Sequence, residues 1–279
     1  MNVMNPAVHS QAGSRAEIAG KSLKCCRLCP RNCGVDRLAG EIGYCRLDAG
    51  VRCFREVLHW GEEKMLNPSH QIYFAGCNLR CEFCTVAEWN EQPEAAKVMD
   101  VEQLAAVIAR RKKEGARTVN LLGGEPAVSV HGILKLLARL DATTKVVWNS
   151  NMYYDTIVDE LMAGLIDICL ADLKCGNADC ANRLLGSADY VEVAKRNILR
   201  AVRHCDVIVR YLVLPGHTDC CLRPILNWLS AELPNVKLSL RGNYVPPVQA
   251  AAAPLRYLQS DELKRAEHLA VGKGLTLVQ

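Results

Sequence analysis

The chain has 279 residues, half of them apolar, with a net charge of +4 and 5% aromatic residues. It can bury a substantial core as one large domain with a small appendage, and neither its charge nor its aromatics furnish a nucleic-acid surface, so nucleic acid is not expected as a partner. No apolar run approaches the ~20 residues of a membrane span and no secretory h-region opens the chain, so its fifteen cysteines are expected to be reduced thiols in a cytoplasm.

Residues 1–22 mix Asn, Gln, Ser, Gly and Ala without periodicity and read as a flexible leader. Residues 23–70 read as a Cys-rich metal-binding module, dense in Cys, Gly and Arg to Cys53, followed by a connection. Cys26, Cys29, Cys33 and Cys45 fall within twenty residues, with Cys25 and Cys53 as stand-ins, a ligand set for zinc or a closed [4Fe–4S] cluster. Exposed thiols so close together would otherwise oxidise.

From Gln71 a strand–helix rhythm begins. The runs Ile72–Ala75, Thr118–Leu122, Lys145–Trp148, Asp167–Leu173, Val207–Leu214 and Val236–Leu240 are near-continuously apolar, as strands buried on both faces of a parallel sheet are. Helical patterns lie between them: Val101–Lys113, N-capped by Asp100, then Val130–Leu140, Tyr154–Gly164, Tyr190–His204 and Leu222–Leu233. A last helix is expected over about Ser260–Val271, with Ser260 near its cap. The basic stretch Arg110–Lys113 reads as a solvated helix face. The fold class is therefore α/β, a partial (β/α)6 TIM-like barrel over residues 71–279 ending in a C-terminal helix, with its site at the C-terminal ends of the strands.

Every unusual motif falls on that rim. Cys77-Asn-Leu-Arg-Cys81-Glu-Phe-Cys84 follows the first barrel strand, with Gly76 allowing the turn. Three thiolates at this spacing hold one cubane corner short of closure, so one iron stays open to a ligand; the competing reading is a zinc site short of one ligand. Gly123-Gly124-Glu125-Pro126 ends the second strand, where bare glycines let backbone carbonyls approach an amino group. Asn149, Ser150 and Asn151 end the third strand, Asp172 and Lys174 the fourth, and Arg210 lies in the fifth. Cys175, Cys180, Cys220 and Cys221 lie on loops of the same rim and read most simply as free thiols, the sharper alternative being an auxiliary metal site or a catalytic thiol. Cys169 and Cys205 read as core.

With the Gly-Gly-Glu-Pro segment, the cysteine triplet resembles the radical S-adenosylmethionine (SAM) superfamily from about Gln71 onward. The resemblance implies a [4Fe–4S] cluster on Cys77, Cys81 and Cys84 whose open iron chelates SAM, reductive cleavage of SAM to a 5′-deoxyadenosyl radical, and hydrogen abstraction from a substrate. It implies cofactor contacts from Gly123, Gly124 and Glu125 to the SAM ammonium and from Phe83 to the adenine, with Asn149, Asn151, Asp172, Lys174 and Arg210 around them. The segment Cys26–Cys45, together with Gly242–Pro246, resembles the pyruvate formate-lyase activating enzyme-like (PflX-type) proteins. Asp172-Leu173-Lys174 and Arg210-Tyr211…Leu214-Pro215-Gly216 resemble glycyl-radical-enzyme activases, whereas Thr85-Val86 after the triplet departs from them. These likenesses imply an oxidoreductase acting on a protein or peptide, a glycyl-radical enzyme first, with another peptide or a small metabolite as alternative. A flavodoxin or ferredoxin-type reductant is the expected electron donor. The opposing class is a non-catalytic iron–sulfur or metal carrier.

Overall fold

The computed structural model describes residues 7–278. Helix α1 (Ala7–Ser22) is followed by two short 3-10 turns within the Cys-rich segment. Strands β1 (Arg52–His59) and β2 (Ser69–Phe74) come next, then α2 (Ala87–Glu91), β3 (Lys97–Val98), α3 (Val101–Lys113) and β4 (Thr118–Gly123). The remainder alternates: α4 (Val130–Leu137), β5 (Val146–Ser150), α5 (Thr156–Met162), β6 (Ile168–Asp172), α6 (Ala178–Leu185), α7 (Tyr190–Ala201), β7 (Asp206–Leu212), α8 (Arg223–Glu232), β8 (Lys237–Arg241), α9 (Ser260–Gly272) and β9 (Thr276–Leu277).

All these strands join one sheet in the order β3-β1-β2-β4-β5-β6-β7-β8-β9. From β2 to β9 every neighbouring pair is parallel, while β1 runs antiparallel to both β2 and β3. The six expected strands are β2, β4, β5, β6, β7 and β8, and the sheet stays open because β3 and β9 remain its edges.

Period-two alternation inside the apolar runs positions the site. Val146, Trp148, Cys169, Ala171, Val207 and Val209 face the helices and join the main core. Val147, Ile168, Leu170 and Ile208 face the other way and, with Leu66, form a small apolar floor. One step further along the same inner face come Asn149, Asp172 and Arg210, so the interior turns polar at the C-terminal strand ends.

Three sequence expectations change. Residues 7–22 are helical rather than a flexible leader; residues 1–6 lie outside the described residues. Ala12, Ala16 and Ala19 are fully buried where α1 packs on α4, and a face of alanines carries little amphipathic signal. The connection at 54–70 holds most of β1 and the start of β2. Helix α9 is capped by Gln259 and Glu262 in a reciprocal capping box, one residue before Ser260. Asp100 does cap α3, accepting from the Gln103 N–H at 2.9 Å. The α3 basic stretch is drawn into ion pairs, Arg111 with Glu56 and Glu114 and Lys112 with Asp141.

The Cys-rich segment has more than thiols to organise it. Arg37 is buried and donates to the Val128 and Asp48 carbonyls, both at 2.9 Å. Leu28 and Leu47 are buried as well. No helix among the described residues is long and apolar enough to cross a membrane.

Candidate active site

Gly76, at φ +84°, turns the chain out of β2; a Cβ there would meet the Leu47 side chain at 2.7 Å. The turn delivers Cys77, Cys81 and Cys84 to one wall of a cavity of about 380 Å³. Phe83, Gly123, Gly124, Asn149, Asn151, Asp172, Lys174 and Arg210 line the same cavity. Eight residues read from separate motifs thus meet the triplet around one space.

Glu125 does not. It is fully buried outside that lining, its carboxylate accepting from Ala127 N–H at 3.0 Å and from the Ser150 hydroxyl and Asn151 N–H at 2.8 Å each. Burial raises it to about 7, against the pull of those donors. It pins the β5 end, and with it Asn151, against the β4 end. The two glycines before it serve close backbone approach: a Cβ on Gly124 would lie 2.1 Å from the Gly76 carbonyl and 2.2 Å from Asn90 Oδ1. The Gly124 and Glu125 N–H groups donate to the Phe74 and Gly76 carbonyls at 2.7 and 2.9 Å.

Burial pushes the Cys77 thiol well up and Cys81 to about 12, where Lys174 acts against the rise. Buried thiolates need a cation nearby, so the donor set is one that an iron–sulfur cluster satisfies. Asn90 adds to the fit: its Nδ2 lies 3.5 Å from Cys84 Sγ and its buried Oδ1, on the cavity wall, has no hydrogen-bond partner. Burial pulls Lys174 down, but Asp172 and then Cys81 outweigh it and hold the ammonium charged.

The sequence reading passed over several wall residues. Glu62 and Glu63 both pair with Arg210, Glu63 at 2.7 Å, and Glu63 is fully buried. Gln71 donates to Glu62, and the Ser239 hydroxyl donates to Glu63 at 2.7 Å. No spacing marks two acids in a connection; the signal available was that Arg210, Gln71 and Ser239 are polar groups on inward strand positions. Glu82, between the first-wall cysteines, accepts from the Ala252 and Ala253 N–H groups at 2.8 and 2.7 Å, holding the loop after β8 beside the triplet. Tyr244 of that loop packs at 6.3 Å from the Phe83 ring, and Asn243 and Val245 line the cavity.

The Cys-rich segment abuts the triplet from behind. Burial raises Cys29 to about 12, and its near charges are Cys45 and Cys26; those of Cys45 include Cys26 and Cys33. Cys29 also bonds Asn78, whose Oδ1 accepts from Asn151 at 2.9 Å, while Asn151 Nδ2 lies 3.8 Å from Cys77 Sγ. Cys25 is exposed and Cys53 belongs to β1, paired with Phe74, so Cys53 is not drawn into this set.

A mostly parallel α/β sheet with a three-cysteine loop after its first parallel strand defines a class, and comparison with known proteins agrees. The family model for the radical SAM superfamily matches residues 72–229, and the chain belongs to that superfamily. It is therefore a radical SAM enzyme by family, which implies a [4Fe–4S] cluster and SAM as its cofactors. An uncharacterised protein of Methanocaldococcus jannaschii is 35% identical over 272 residues, covering 95% of this chain and 79% of the relative. A radical SAM methyltransferase from Sphaerobacter thermophilus has a similar fold, with a TM-score of 0.54, 15% identity and coverage of 83% and 77% of the two chains. Streptococcus suis SuiB, solved bound to the precursor peptide SuiA, gives a TM-score of 0.54 at 16% identity, over 72% of this chain and 46% of SuiB. The chain thus spans under half of SuiB.

Proposed function

We propose that this protein reductively cleaves SAM and uses the 5′-deoxyadenosyl radical to take hydrogen from a peptide or protein. The carrying observation is that the three thiols and eight further motif residues wall one cavity. When bound on Cys77, Cys81 and Cys84, the cluster supplies the electron and the open iron that SAM cleavage needs.

The chain's own groups bind and orient. The Gly123–Gly124 strand end and the unpartnered Asn90 Oδ1 offer acceptors to the SAM ammonium. Asn149 and Asn151 suit the ribose, and Phe83, backed by Tyr244, suits the adenine face. Lys174 stays charged beside Asp172 and Cys81 and so balances thiolate charge. The apolar floor of Leu66, Val147, Ile168, Leu170 and Ile208 keeps water from entering below. Cys26, Cys29, Cys33 and Cys45 hold zinc or a closed cluster, structural or electron-relaying; the Cys29–Asn78–Asn151 contacts toward Cys77 support the relay. A flavodoxin or ferredoxin-type protein in a cytoplasm would donate the electron.

One likeness of fold favours a peptide over a glycyl-radical enzyme as target: SuiB was solved with a precursor peptide. The activase reading rests on Asp172–Lys174 and the Arg210–Gly216 segment, and the PflX-type likeness on Cys26–Cys45 with Gly242–Pro246. Arg210, however, is already occupied by Glu62 and Glu63. The deciding experiment supplies reconstituted protein, SAM and reductant with any peptide encoded beside its gene. A change in peptide mass that tracks 5′-deoxyadenosine formation supports the peptide reading. A glycyl-radical signal on a co-encoded glycyl-radical enzyme, with no peptide change, would replace it with the activase.

A further inference from the structure

The loops after β6 and β7 carry a cluster that the SAM site does not use. Sγ of Cys180, Cys220 and Cys221 and a ring nitrogen of His217 all lie within 4.8 Å of one another. His217 Nδ1 points into the thiols, 3.4 Å from Cys220 Sγ and 3.8 Å from both Cys180 and Cys221. Ligand atoms bound tetrahedrally at about 2.0–2.3 Å to one zinc ion stand roughly 3.5–3.8 Å apart, which the His217-to-sulfur distances match and the 4.8 Å limit on the whole group allows. A cubane sets each thiolate on its own iron and spreads the four more widely.

The local backbone is built to bring them together. A π-turn at Thr218–Leu222 presents the adjacent Cys220 and Cys221 on the side of His217. Gly176 lets the β6 loop touch the β7 loop, since a Cβ there would fall 2.1 Å from the Cys221 carbonyl oxygen. Asn177 ties them further, accepting from Cys180 N–H at 2.8 Å and donating to the Cys220 carbonyl.

A second observation points into the cluster. The Tyr211 hydroxyl is fully buried, has no hydrogen-bond partner, and has Cys221, Cys175, Cys220 and Cys180 as its near charges. Arg183 Nη2 lies 3.9 Å from Cys180 Sγ and Asn177 Nδ2 3.9 Å from Cys221 Sγ. These donors are what three thiolates on a divalent ion require around them.

We propose that Cys180, His217, Cys220 and Cys221 bind one zinc ion, a closed structural site that staples the β6–α6 loop to the β7–α8 loop. Cys175, beside Cys221 and next to Lys174, stays a thiol outside the four ligands. The exposed Cys220 gives the ion its way in.

The test measures zinc and iron per chain in the anaerobically purified full-length protein. The variant His217→Ala/Cys220→Ser should lose about one zinc per chain and keep its iron, whatever the Cys26–Cys45 set holds. Unchanged zinc, or loss of iron instead, overturns the assignment. Cys220→Ser alone, at the exposed ligand, guards against misfolding. With cobalt in place of zinc its sulfur-to-cobalt absorption must weaken relative to wild type, and identical spectra overturn the proposal.

Discussion

Arg210 shows how one inward strand position is decided by its partners. Its guanidinium answers two buried carboxylates, Glu62 on the cavity wall and Glu63 behind it. Replacing it by Met leaves Glu62 without a counter-charge and Glu63 with only Arg241, 3.9 Å away, so Arg210→Met should lower stability by about 3–5 kcal/mol in chemical denaturation. A cost below ~1 kcal/mol would show that the acids find other partners. His131 provides a pH test away from the clusters. Burial lowers it to about 4, and its Nε2 contacts the Ala49 carbonyl at 2.9 Å. The unfolded chain takes up this proton near pH 6.5 and the folded chain resists it, so its contribution is whole above pH 6.5 and falls as pH drops toward 4, by roughly 3 kcal/mol at most. His131→Gln should flatten that segment of the stability–pH curve, and an unchanged slope would contradict the assignment. At this scale the cavity lining was legible because Cys, Gly, Asn and Lys stood out at strand ends. Glu62 and Glu63 were not, because their role exists only through Arg210 and Ser239.

Among elements, the β4–β2 junction carries the most consequence for the site. Gly124 must let backbone meet backbone at Gly76, one residue before Cys77. Gly124→Ala should shift the cysteine loop and reduce 5′-deoxyadenosine formation by roughly a hundredfold, since a displacement of ~1 Å is enough to do so. Retention of full turnover would mean that the strand ends can part without effect. Helix α1 makes a separate prediction. Its alanine face meets α4, so Ala16→Leu should overpack the contact and cost about 1–3 kcal/mol by thermal unfolding, whereas a mobile leader would tolerate it. The barrel strands were readable from long apolar runs buried on both faces. Helix α1 was hidden because small side chains bury fully without marking a period, β1 because it is only half-buried along its length, and the edge strands β3 and β9 because each has two residues.

Over the whole molecule, three cysteine sets occupy one end of an open parallel sheet. Cys77, Cys81 and Cys84 wall the cavity, the Cys26–Cys45 set backs onto Asn78, and Cys180, Cys220 and Cys221 gather around His217 across the β6 and β7 loops. Proximity in sequence points to the first two sets, each of which lies on one stretch of chain. It does not reach the third, where His217 joins Cys180, Cys220 and Cys221 in place of Cys175, because two loops are brought together in space. The central claim is that the first set holds an open cluster that cleaves SAM. The direct measurement is 5′-deoxyadenosine after anaerobic reconstitution with iron, sulfide, SAM and reductant. The wild-type protein should form it and Cys81→Ala should not. No 5′-deoxyadenosine above background from wild-type protein with its cluster intact would contradict the account.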